Sequence, residues 1–104
     1  MSFESLLTLR EIRLSQRIID PTHEHLRNCG RAGLEGLAIW AGRREDDVFN
    51  ICAMVTPQQQ GIRSDHGLAV AVSATELNRI NAELFAKGLR IFAQIHSQVA
   101  PSVF

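Results

Sequence analysis

Two neighbouring positions near the end of the chain, His96 and Ser97, and one in its first half, Glu35, carry the side chains most capable of chemistry. Glu35 sits inside the apolar run GLEGLAIWAG (33–42), and His96, Ser97 and Gln98 close the run RIFAQIHSQ (90–98). On a strand, Glu35 would share a face with Leu37, Ile39 and Ala41. A carboxylate facing a core is costly unless paired, and desolvation would raise its pKa toward that of a useful general base. The same residue could equally mark the exposed start of a strand. Gly36 beside it implies that something approaches the backbone closely there. His96 would lie on one strand face with Phe92 and Gln94, as a metal ligand or as a hydrogen-bonded strand end. Ser97 fits a cap or turn role.

Other candidates are weaker. His23 and His25 are two apart in a helical stretch and cannot share a face, which makes them a poor metal pair. Asp65 and His66 fall in a polar stretch and read as solvated. Cys29 and Cys52 are too few and too far apart for a disulfide framework or a zinc knuckle, and read as small core residues in a reducing compartment. Arg43, Arg44 and Arg63 are scattered without interleaved aromatics, so they form no nucleic-acid surface.

The elements that must position these residues follow from pattern. The segment TLREIRLS alternates Ile12 and Leu14 with Glu11 and Arg13, as a half-buried strand does. DPTHEHLRNCG reads as a short helix with Asp20 as cap, Pro21 in the first helical position and Gly30 at a left-handed exit. GLEGLAIWAG (33–42) and DVFNICAMVTP (47–57) are apolar on both faces, as expected for strands covered on both sides, with RREDD as the hairpin turn between them. QQQGIRSDHG reads as a polar loop and LAVAVS as a further strand. Ser73 and Glu76 form a capping box for a helix in which Leu77, Ile80, Leu84 and Phe85 face the core and Gly88 ends the run. LRIFAQIHS is the last strand. The order β-α-β-β-β-α-β describes an α+β domain, a mostly antiparallel and largely sequential sheet with flanking helices.

The 104 residues amount to one domain with a modest core. Eleven Lys and Arg balance eleven Asp and Glu, so no net field attracts nucleic acid or an anionic membrane. No apolar run approaches a membrane span, and the N-terminus MSFESLLTLREI lacks a basic signal-like region, which makes the cytoplasm the expected location.

Taken together, the Glu beside glycine at the head of one strand and a later strand ending in QIHSQ resemble the JAMM, or MPN-domain, metalloproteases, especially their short prokaryotic JAB-like branch. The family motif is a distant Glu followed by H-[ST]-H-x7-S-x2-D. The resemblance covers roughly residues 8–104 in element order and implies a layered, cytidine deaminase-like domain. It matches Glu35 to the acid/base glutamate and His96 to the first zinc ligand. Intact members hold zinc with two His and one Asp and hydrolyse amide or isopeptide bonds after ubiquitin-like or sulphur-carrier tails.

This sequence departs from the motif. Gln98 stands at the second-ligand position, and the motif Ser and Asp fall beyond Phe104. One imidazole does not hold catalytic zinc at useful affinity, so zinc is expected to be weak or absent here. The expectation is therefore a single JAMM-like domain, 1–104, lacking its C-terminal part and catalytically incomplete. The alternative is a non-catalytic protein-binding or assembly module on the same fold. Uncovered apolar strand faces further lead us to expect self-association.

Overall fold

Apolar residues on both faces of the central strands demand two covering layers, and the fold supplies one helix for each. The structure is a computed structural model that describes residues 8–58, 60–64 and 67–97. Its elements are β1 (Glu11–Leu14), α1 (Gln16–Arg31), β2 (Leu37–Glu45), β3 (Val48–Val55), β4 (Gln60–Ser64), β5 (Gly67–Ala71), α2 (Ala74–Ala86) and β6 (Arg90–His96). β1, β3, β2 and β6 form a four-stranded sheet in that spatial order, and β4 and β5 pair in a sheet of their own. The β2–β3, β2–β6 and β4–β5 pairs are antiparallel, whereas β1 runs parallel to β3.

One face of the large sheet carries Ile39 and Ala41 of β2 against Ile80 and Leu84 of α2, with Leu89, Leu77 and Ile91 beside them. The other face carries Phe49 and Ile51 against Ile18 of α1, with Leu14, Trp40 and Phe92 around them. The Phe49 and Phe92 rings lie 4.8 Å apart, tilted by 32°. Two register shifts make this division possible. Between Ala41 and Gly42 the register skips Cys52, so Phe49 and Ile51 face α1 while Ala53 and Val55 turn toward α2. Between Trp40 and Ala41 it skips Phe92 in the same way. A bulge reverses the alternation of one strand without breaking the pairing around it.

The reading of an α+β domain with two flanking helices agrees with this architecture, but several details differ. QQQGIRSDHG is not simply a loop: residues 60–64 form β4, which adds a strand and makes the order β-α-β-β-β-β-α-β. Asp65 and His66 lie outside the described residues. The sheet is not sequential either, because β3 sits between β1 and β2 and gives β1 a parallel partner. The first helix begins five residues before Pro21. Ser15 occupies its N-cap, and Asp20 accepts from Gln16 Nε2 at 2.7 Å inside the helix. Pro21 removes only the bond to the carbonyl of Arg17, an exposed residue open to water, and the helix continues through it. Its left-handed exit is Gly33, with φ +74, in place of Gly30. β2 runs to Glu45, so the tight turn is confined to Asp46 and Asp47.

α2 follows its punctuation closely. Ser73 Oγ accepts the Glu76 N–H at 3.1 Å. At the other end the N–H groups of Gly88 and Leu89 reach the carbonyls of Phe85 and Leu84 at 3.0 and 2.8 Å, a Schellman closure with Gly88 at φ +72. Phe85, however, is 74 % exposed and does not join the core. Ile12 on edge strand β1 is 50 % exposed, against the half-buried face expected for it. Cys52 is exposed at the bulge, Cys29 is half-buried, and neither is in a disulfide.

Candidate functional site

β2 and β6 are neighbours, which brings the approach to Glu35 and the end at His96 to one corner of the sheet. Leu37, the first residue of β2, stands directly opposite His96, the last residue of β6. Pairing continues one step farther. The Ser97 N–H donates to the Gly36 carbonyl at 3.0 Å, and the Gly36 N–H donates to Ser97 Oγ at 3.0 Å. Glu35 immediately precedes this pair, half-buried and in irregular backbone two residues before β2 begins. The expectation that it sits within the strand is corrected accordingly. His96 is exposed and Ser97 half-buried. Gln98, the second-ligand position, lies outside the described residues.

α1 closes the corner from the opposite face. The sequence marks Gly36 as a point of close approach, and the structure shows what approaches. A Cβ there would lie 2.7 Å from Leu26 Cδ2, 3.2 Å from Cys29 Cβ and 3.2 Å from Ser97 Oγ. β3 has no partner for Leu37, since its pairing with β2 begins at Ile39. His25 of α1 lies there instead, its Nε2 3.0 Å from the Leu37 carbonyl and 3.8 Å from Cys29 Sγ. The donor to the carbonyl is then the protonated Nε2. His23 points away into solvent, as two-residue helical spacing requires. The sequence reading missed the role of His25; the i, i+4 spacing of His25 and Cys29 on a helix is the signal that pairs them.

The donor set at this corner does not fit a zinc ion. Structural and catalytic zinc sites need three or four protein donors converging on one point. Among the described residues no group of three or more His, Cys, Asp or Glu could hold a metal ion. His96 and Glu35 alone fall short of that number. A cleft of about 510 Å³, lined by Asn81, Ala82, Phe85, Leu89, Arg90 and Ile91, opens at the other end of β6 and contains neither residue.

Of the basic residues considered above, Arg43 and Arg44 are engaged in a cap and a turn. Arg43 donates to the Lys87 carbonyl at 3.1 Å, and Arg44 bonds the Asp46 carbonyl and Thr8 Oγ1, each at 2.7 Å. No helix among the described residues is long and apolar enough to cross a membrane.

The chain is similar to a probable metalloprotease. It is 40 % identical over 93 residues to the probable metalloprotease y4jG of Sinorhizobium fredii, a match that covers 89 % of this chain and 57 % of that protein. The chain thus spans a little over half the length of this relative. No family model matches it. The similarity points, at a coarse level, to a metalloprotease-like family, and it covers almost all of the sheet and both helices.

Proposed function

We propose that this chain is a metallopeptidase-like domain of the JAMM/MPN type, in which Glu35 and His96 belong to one reaction centre. The observation that carries the reading is the pairing of Gly36 with Ser97 and of Leu37 with His96, in a chain 40 % identical over 93 residues to a probable metalloprotease. In this reading the Glu35 carboxylate is the proton acceptor for water attacking an amide or isopeptide carbonyl. His96 is the one remaining ligand position. The substrate class is the C-terminal tail of a ubiquitin-like or sulphur-carrier protein, in the cytoplasm.

Because the described donors do not make a zinc site, the 104 residues are proposed to be catalytically incomplete by themselves. Elemental analysis of protein purified without added metal tests this, together with hydrolysis of a tail-fused reporter. Less than stoichiometric zinc and no turnover are expected. Stoichiometric zinc that disappears in His96→Ala would overturn the incompleteness and leave the family reading standing. Gln98 at the second-ligand position favours one second reading, a non-catalytic protein-binding or assembly module on the same fold. Capture of a tail peptide at equal strength by wild type and Glu35→Gln, with no turnover by either, would support the module.

A further inference from the structure

Ser97 does more at this corner than end a strand. In a regular antiparallel ladder a hydrogen-bonded pair exchanges two backbone bonds, N–H to carbonyl in each direction. Gly36 and Ser97 make one of these, Ser97 N–H to Gly36 carbonyl at 3.0 Å. For the other, the Gly36 N–H goes to the Ser97 hydroxyl oxygen, also at 3.0 Å. The hydroxyl therefore takes the place a backbone carbonyl would fill, and it extends the pairing one residue past the last regular pair of β2 and β6.

Gly36 is buried, so its N–H depends on a protein partner. It is also crowded: Leu26 Cδ2, Cys29 Cβ and Ser97 Oγ all lie within 3.2 Å of where a Cβ would be. Neither chain can slide at this point without breaking the pair. We infer that Ser97 is a positioning residue, whose hydroxyl locks the register between the segment leading from Glu35 and the strand ending at His96. The inference rests on the reading of Glu35 and His96 as one centre and adds the group that holds them in step. Ser97 itself touches no reacting atom in this account.

The test uses the full 104-residue chain, isotope-labelled, as wild type, Ser97→Ala and Ser97→Thr. Two signals report on the clasp. One is hydrogen exchange at the Gly36 amide. The other is the Hα–Hα cross-peak between Leu37 and His96, which the adjacent close-spaced pair should show strongly. Ser97→Ala is expected to speed Gly36 exchange roughly three- to tenfold, the scale of one lost hydrogen bond, and to weaken the cross-peak. Ser97→Thr, which keeps the hydroxyl, should restore both. Exchange at Ile80 and Leu84 in α2 should stay unchanged in both variants, which separates a local clasp from general destabilisation. Unchanged Gly36 exchange and cross-peak in Ser97→Ala would overturn the inference, and so would a loss that Thr fails to restore. Neither readout involves metal or turnover, so a failure here is distinct from a failure of the metallopeptidase reading.

Discussion

At Gly36 an added methyl would meet Leu26 Cδ2 at 2.7 Å, with Cys29 and Ser97 close behind, so Gly36→Ala must push α1 or β6 aside. Overpacking of this kind costs about 1–3 kcal/mol, and urea denaturation should show it as a lowered midpoint. A wild-type midpoint would mean that α1 yields freely. Thr22 is a second residue with a defined cost. It is 2 % exposed, donates to the Ile18 carbonyl at 2.6 Å and accepts from Trp40 Nε1 at 2.9 Å. Thr22→Val keeps the shape and strands the indole N–H, a loss of about 1–3 kcal/mol with a shift in Trp40 fluorescence. An unshifted spectrum at unchanged stability would show that the indole finds another partner. Glu76 sets an acid limit. The Arg79 hydrogen bond, and after it the Gln58 backbone N–H, hold its carboxyl below the ordinary 4.5. The resulting stability is present above pH 4.5 and is lost as the pH falls through the lowered value. The stability gap between wild type and Glu76→Gln should therefore narrow on acidification below pH 4.5, and a gap that stays constant would refute this role.

At the scale of elements, α2 depends on its ends more than on its length. Thirteen residues form a marginal helix in isolation, so its cap and its packing against β2 and β6 carry it. Ser73→Ala should cost about 1 kcal/mol, seen in thermal unfolding, because Glu76 N–H loses its acceptor. No change would imply that Glu76 is capped by water at no loss. α1 shows the opposite case. Its N-cap Ser15 makes no side-chain cap bond, yet the helix runs sixteen residues through a proline. Ile18 and Thr22 bury one stripe of it against the sheet, and burial outweighs the single bond that Pro21 removes.

The four-stranded sheet ends in two edge strands, β1 and β6, neither of which has an outer strand partner among the described residues. β6 offers backbone groups along its outer side, and Phe85 stands 74 % exposed at the cleft beside its first residues. With eleven charges of each sign the chain has no net repulsion between copies. We expect self-association through this edge, read as a concentration-dependent sedimentation coefficient at micromolar protein and weakened by Phe85→Glu. A monomer at every concentration would show that the edge needs no partner.

Local chemistry alone made much of this protein legible. Ser73, Glu76 and Gly88 announce α2, because caps are short-range devices that the tertiary fold has little power to override. The apolar doubling of 37–41 and 48–55 announces strands covered on both sides, and Gly36 announces a close approach. Other features depended on partners distant in sequence. A bulge at Cys52 or Phe92 arises only when two strands are laid side by side, so no single strand reveals which residue will be skipped. The parallel seat of β1 beside β3, the strand in residues 60–64 and the exposure of Phe85 are decided in the same way. The sequence supplies Glu35 and His96 as chemical groups sixty-one residues apart. Only the pairing of β2 with β6, with Ser97 bonded to Gly36 across the same sixty-one residues, brings them to one corner, because cross-strand register is set by backbone bonding that neither segment can make by itself.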